Sequence, residues 1–256
     1  MKKLSIITVT YNSEDTIGET MTSVLKQMYR PLQYILIDGE STDRTNKIIR
    51  ELMPKFETNG IDIVMVSEPD QGISDAFNKG IELAEGEVIG IINAGDSFGN
   101  NIFMEIMRVD WDSIDVLCGD ILWKDNKNGI EYVRKSNINW DKLKFEMSIM
   151  HPSCFVKKST YIECGVFDIS FKYAMDYELL CRIYRKNKNI KYIPLVIAKM
   201  EAGGISDTNI KKIKDEILQV NQANHLSKGV SELHWKWLSF RHGLSRQLKK
   251  MGLLIK

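Results

Sequence analysis

The stretch "QYILIDGESTDRTNKIIRELM", residues 33–53, passes from a short apolar run through a polar turn into a helical pattern. Residues 33–37 read as a buried strand. Asp38 is the first polar residue after it, Gly39 lets the chain turn sharply, and Ser41 or Thr42 is placed to cap a helix over residues 43–53. Three more units of this kind surround it. "KLSIITVT" (3–10) is a strand, followed by "NSEDTIGETMTSVLKQMY" (12–29), a helix capped by Asn12 or Ser13 and stopped by Pro31. Its apolar face is Ile17, Met21, Val24, Leu25 and Met28. "IDIVMV" (61–66) precedes the helix "ISDAFNKGIELA" (73–84), and the strand "EVIGII" (87–92) runs into "NAGDSF" (93–98). This alternation predicts an α/β fold: a parallel sheet with right-handed crossovers and helices on both faces. Ligands of such sheets bind beyond the carboxyl ends of the strands. The loops "TYNSED", "DGESTD" and "NAGDSF" all start there and should converge on one crevice.

Composition narrows the function classes. The 256 residues are 43% hydrophobic, enough for a full core. The 35 basic and 34 acidic residues nearly cancel, which speaks against nucleic-acid binding through a general positive field. The four cysteines, Cys118, Cys154, Cys164 and Cys181, form no CxxC pair and read as buried free thiols in a reducing, cytoplasmic setting. "MKKLSIITVTYN" resembles a signal peptide in its first residues but lacks a small-residue cleavage site. No stretch approaches the roughly 20 apolar residues of a membrane-spanning helix, so the expected chain is soluble or at most peripheral.

Beyond about Gly99 the pattern changes. "DVLCGDILWKDNKNGIEYVRK" (115–135) reads as two strands joined through Asn128-Gly129, and "MHPSCFVKKSTYIECGVF" (150–167) as a strand and a short helix. "YAMDYELLCRIYRKN" (173–187) is an amphipathic helix, and "IKYIPLVIAKM" (190–200) a late strand. This half supplies a second wall to the crevice. From about Ser206 the chain is helical to its end. There Trp235, Trp237, Phe240, Leu244, Leu248 and Met251 alternate with Arg and Lys, a pattern that suits packing onto the domain or an interfacial membrane helix.

Three carboxylates stand out. Asp38 points from a strand end into the crevice, where it could accept hydrogen bonds from a base or sugar; capping the next helix is its structural alternative. Asp96 follows the small residues Ala94 and Gly95, which leave room for a bulky anion. It is either a ligand for a hard divalent cation or a turn residue. Asp176 and Glu178 lie at a helix start, where a carboxylate can answer the helix dipole or serve as a general base.

Taken together, these segments resemble glycosyltransferase family 2, inverting sugar transferases with the A-type, nucleotide-sugar-binding fold. The resemblance covers about residues 3–206, in the order "IITVTYN", "ILIDGESTDRT", "EPDQGISDAFNKGIELAEGEVIGIINAGD", "GVFDISFKYAMDYELLCR" and "EAGGIS". It implies a Rossmann-like parallel sheet continued into a mixed sheet. Residues 1–205 would be the catalytic domain, with 1–98 binding the nucleotide sugar and 99–205 the acceptor, and 206–256 a helical extension. It further implies Asp176 as the base, Thr10, Asp38, Asp75 and Asp96 on the donor, and Asp96 on Mg2+ or Mn2+. His151 would line the acceptor side or approach the pyrophosphate, or else be a satisfied core histidine. Asp75 has a helix-start alternative.

The family's second opening aspartate is Gly39 here, its usual Arg is Phe77, and its Asp-x-Asp is "AGD". A subgroup associated with surface-polysaccharide synthesis has similar forms. The expected partners are a UDP-sugar or related donor and a glycan or lipid-linked acceptor, with the C-terminal helices in peripheral contact with the inner membrane face. A nucleotidyltransferase would want a glycine-rich basic loop that "TVTYNSED" lacks. An inactive nucleotide-sugar-binding module is the other alternative.

Overall fold

Strand β1 (Leu4–Thr10) is buried over its whole length. Leu4 and Ile6 face one apolar layer, Ile7 and Val9 the other, the period of two that a strand covered on both sides requires. The computed structural model describes residues 1–125, 128–201 and 210–250. After β1 come α1 (Ile17–Leu25), β2 (Leu32–Asp38), α2 (Thr45–Thr58), β3 (Ile61–Ser67), α3 (Ile73–Leu83) and β4 (Val88–Asn93). The second half runs β5 (Ser97–Phe98), α4 (Ile102–Met107), β6 (Val116–Asp125), β7 (Ile130–Arg134), α5 (Trp140–Leu143) and a 3-10 turn (His151–Ser153). It continues with β8 (Phe155–Lys157), α6 (Lys158–Cys164), α7 (Met175–Arg185), β9 (Ile190–Glu201), α8 (Ile210–Ala223) and α9 (Lys228–Lys250).

One sheet joins the two halves, in the order β3-β2-β1-β4-β8-β6-β9-β5, with β7 paired to β6. The first four strands are parallel; β8 is antiparallel to both β4 and β6. The expected parallel sheet therefore continues into a mixed one. Helices α1, α2 and α4 cover one face, α3, α6 and α7 the other, and α8 adds Val220 to that second layer. The expected hairpin is present as β6 and β7, with Gly129 at a φ of 64°. All four cysteines are buried and unbonded.

Two helix starts differ from the sequence expectation. Helix α1 begins at Ile17 rather than near Asn12 and ends at Leu25, which leaves Met28 exposed. Helix α2 begins at Thr45, and neither Ser41 nor Thr42 caps it. The residues proposed as caps bond across to one another instead. Ser41 Oγ accepts from Asn12 N at 2.8 Å, Asn12 Oδ1 from Thr42 N at 2.9 Å, and Thr45 Oγ1 from Ser13 N at 2.8 Å. Short polar side chains near helix starts bond whichever backbone N–H lies closest, and here a parallel neighbour is nearer than their own helix.

The chain is helical through α8 and α9, as expected, with a break around His225. The boundary expected at 205/206, and the "EAGGIS" loop beyond Glu201, lie outside the described residues. Among the described residues no helix is long and apolar enough to cross a membrane.

Central packing has little slack. A Cβ added at Gly90 in β4 would lie 2.5 Å from the ring of Phe155 and 3.0 Å from Ile6. Overpacking of this kind costs about 1–3 kcal/mol. Gly90→Ala should accordingly lower the thermal midpoint by several degrees, and an unchanged midpoint would show that Phe155 can give way.

Candidate active site

The parallel register aligns Thr10 with Asp38 and Val9 with Asn93, so β1, β2 and β4 end together. The three polar loops converge there, as expected. The loops after β1 and β2 are knitted together, since Glu14 N donates to Asp43 Oδ2 at 3.1 Å and Arg44 N to Glu14 Oε2 at 2.9 Å. Asp38 has no exposed surface. Its Oδ2 accepts from Ser41 N, Asn46 Nδ2 and Ser67 Oγ and its Oδ1 from Ser41 Oγ alone, so Oδ1 keeps room for a further donor. In contrast, the side-chain oxygens Thr10 Oγ1 and Asn93 Oδ1 are buried with no partner on the protein. Buried polar atoms of this kind need a partner, and a ligand in the crevice can supply it.

Asp96 follows Gly95, whose φ of 101° suits only glycine comfortably. Thr20 holds this turn, its hydroxyl donating to Asp96 O at 2.7 Å and accepting from Gly95 N at 3.1 Å. Burial pushes the Asp96 carboxyl up to about 7; the backbone N–H of Glu201 opposes that rise and the Glu201 charge adds to it. Two neighbouring carboxylates, one of them desolvated, are a donor set that a hard divalent cation would relieve. Among the described residues no three His, Cys, Asp or Glu side chains gather. The described residues could thus offer a divalent cation the Asp96 and Glu201 carboxylates, and its other positions would fall to water and phosphate.

Asp176 lies in the first turn of α7 and His151 opens the 3-10 turn, which packs against β4, β6 and β9. The antiparallel pairing of Gly90 with Phe155 carries His151 to the carboxyl end of β4. The two side chains are near enough for their charges to couple. Burial raises the Asp176 carboxyl, with His151 drawing it back down, while burial lowers His151 and Asp176 draws it back up. Phe77 and Phe167 wall the imidazole at ring-centroid distances of 5.6 and 5.9 Å.

The family model for glycosyl transferase family 2 matches residues 5–166. The chain belongs to that family. The match stops short of Asp176. The chain is 25% identical over 219 residues to a PGL/p-HBAD biosynthesis glycosyltransferase of Mycobacterium bovis, covering 81% of this chain and 80% of that one. It is 26% identical over 217 residues to the Escherichia coli UDP-Glc:alpha-D-GlcNAc-diphosphoundecaprenol beta-1,3-glucosyltransferase WfgD, covering 82% of each. Among solved structures, S. aureus TarS 1-349 in complex with UDP-GlcNAc superposes with a TM-score of 0.66 at 19% identity, covering 90% of this chain and 69% of that one. Against a longer TarS chain the coverage is 90% and 41%, so this chain spans about four tenths of it. The mannosyltransferase PcManGT from Pyrobaculum calidifontis, in complex with GDP-Man and Mn2+, gives 0.64 at 15% identity, with 88% and 64% covered. The fold is the A-type glycosyltransferase fold.

Within this glycosyltransferase, Asp75 sits apart from the other candidates. It accepts from Gln71 N at 3.0 Å and lies 3.6 Å from Lys79 Nζ, which is the helix-start role. Three residues at the site escape sequence reasoning. Ser67 and Asn46 complete the shell of Asp38, and only the strand register brings them there. Asp70 is the third. A Cβ added at Gly39 would lie 2.7 Å from Asp70 Oδ2, so the carboxylate missing from the opening motif is matched by one arriving from the neighbouring loop.

The raised Asp96 carboxyl has a consequence for stability. Its proton is held more tightly in the folded chain than at the ordinary value of 3.8, so this group favours folding as pH falls through 7 and penalises it above. Without divalent cation, Asp96→Asn should unfold at a higher temperature than the native chain above pH 7, and the difference should shrink as pH falls from 7 toward 3.8. A difference independent of pH would mean that Asp96 is solvated.

Proposed function

We propose that this glycosyltransferase is metal-dependent and inverting, and moves a sugar from a nucleoside diphosphate donor, a UDP-sugar, to a hydroxyl of a glycan or lipid-linked acceptor in surface-polysaccharide synthesis. The observation that carries the proposal is the coupled pair Asp176 and His151 beside the strand ends where Thr10, Asn93 and Asp96 gather. Residues 1–98 hold the donor, residues 99–205 provide the acceptor wall, and residues 206–256 form the extension. WfgD is named for a UDP-sugar donor and a diphosphoundecaprenol-linked acceptor, which favours the same pair of substrate classes here. PcManGT is found in complex with GDP-Man and Mn2+, which favours Mg2+ or Mn2+ on Asp96.

Each residue then has a task. Thr10 and Asn93 satisfy their unpartnered oxygens on the donor, and Asp38 accepts from its base or ribose through Oδ1. Asp75 serves the donor side through the Gln71 backbone that it holds. A cation on Asp96 would neutralise charge growing on the departing diphosphate. Asp176 takes the proton of the acceptor hydroxyl as its oxygen attacks the anomeric carbon opposite the diphosphate; the bond to the diphosphate breaks and the centre inverts. His151 lines the acceptor side and steadies the Asp176 carboxylate.

Asp176→Asn should fold and bind donor like the native chain while transfer falls about 100- to 10,000-fold, the range of a lost general base. Titration with UDP-glucose and UDP-GlcNAc in the presence of Mn2+, followed by UDP release, reads both steps. Transfer near the native rate would move the base elsewhere, and binding of no nucleotide would sink the whole reading.

A lipid-linked acceptor calls for a membrane surface, and α9 carries a face that suits one. Val230, Leu233, Trp237 and Phe240 are exposed at helical spacing along it. Residues 228–256 hold seven Lys and Arg against the single acid Glu232. Apolar and aromatic side chains flanked by basic ones fit the inner, anionic leaflet, whereas pairing two such helices would set like charges together. Phosphatidylglycerol vesicles should sediment the chain and neutral phosphatidylcholine vesicles should not, with Leu233→Ser/Phe240→Ser abolishing the effect. Equal binding to both lipids, or a dimer dissolved by those substitutions, would overturn this role for α9.

A further inference from the structure

Helix α7, which carries Asp176, has no side-chain cap from its N-cap residue Ala174, and in its first turn Asp176 Oδ1 accepts from Tyr177 N at 2.8 Å. Backbone N–H groups at and before a helix start favour an anion. For residues 172–174 that anion comes from α8. Glu216 Oε2 accepts from Tyr173 N and Ala174 N, both at 2.8 Å, and Oε1 from Lys172 N at 3.0 Å. Three N–H groups in a row thus close on one carboxylate more than forty residues further along the chain. The grip continues down the helix. Tyr177 Oη donates to Asn221 Oδ1 at 2.7 Å, Asn224 Nδ2 reaches Cys181 Sγ at 3.4 Å, and Arg185 donates to Ala223 O.

Glu216 therefore ties down the backbone immediately before Asp176. It also keeps a negative charge there. Among the described residues the other groups facing Asp176 are His151 on the 3-10 turn and the Cys154 thiol between that turn and β8. On α7 itself Glu178 is engaged by Arg182 at 2.8 Å.

We infer that Glu216 is a positioning residue for transfer, fixing the backbone from which Asp176 reaches the acceptor hydroxyl and keeping a negative charge behind that carboxylate. The inference rests on the base role proposed for Asp176. The Glu216 charge acts in the same direction as the rise that burial causes at Asp176, and against the larger effect of His151. Glu216 thereby makes the C-terminal extension part of the catalytic apparatus.

Glu216→Gln in the full chain tests this, since the amide keeps an oxygen for the N–H groups and drops the charge. UDP release from UDP-glucose or UDP-GlcNAc with Mn2+ is followed as a function of pH. Turnover should fall about 10- to 100-fold, the cost of a misplaced catalytic group. The acidic limb of the kcat profile should move to lower pH because the neighbouring negative charge is gone, with donor affinity unchanged. Glu216→Asp, which keeps the charge at a shorter reach, should lose turnover while its acidic limb stays in place. Loss of turnover with a fixed limb in Glu216→Gln, or native turnover in both variants, would overturn the inference. An inactive Asp176→Asn alongside such a result would leave the base role standing, whereas an active Asp176→Asn would remove the base role itself.

Discussion

The pairing of β1 with β2 on one side and β4 on the other decides what this chain can do. Because the three strands run parallel and in register, their carboxyl ends deliver Thr10, Asp38 and Asn93 to one edge. None of these side chains could be gathered by local structure, since 28 residues separate the first two and a helix intervenes. Sheet hydrogen bonding therefore does for this edge what covalent proximity cannot. Turning β8 antiparallel to β4 then brings the His151 turn to the same edge from the other half.

The two walls of the crevice are built by different physics. At the ends of β1 and β2, short polar side chains of two loops satisfy each other's backbone, and Asp38 is held by four hydrogen bonds from the protein itself. Rigidity comes from hydrogen bonds that water would otherwise compete for. On the other side, His151 is set among aromatic rings, and desolvation alters the proton affinities of His151 and Asp176 while each moderates the other.

How far the sequence reveals this depends on the range of each interaction. The strands and their alternation are legible because burial on two faces imposes a pattern on neighbouring residues, as in Leu4–Thr10. Asp96 and the Asp176 helix are legible as carboxylates just beyond an element boundary. The start of α1 is not, because Asn12 and Ser13 have cap-forming chemistry whether their partner is their own helix or the next loop. Asp70, Ser67 and Glu216 are illegible for a simpler reason. Each is an ordinary polar residue whose partner is set by tertiary contact. Phe77, where the family has Arg, makes sense only once the His151 ring is seen against it.

The exchange at Gly39 bears on how such chains are compared. Asp70 Oδ2 occupies the space next to Gly39 that a side chain would need, and its Oδ1 accepts from Gly72 N at 2.8 Å. The two positions are consequently linked by exclusion: an aspartate restored at 39 would meet a carboxylate already there, and both steric overlap and like charge would resist it. What looks along the chain like a deletion from a motif is in space a transfer of charge from one loop to the next. In this chain a side chain at position 39 would require the Asp70 carboxylate to move, so the two positions compete for one space.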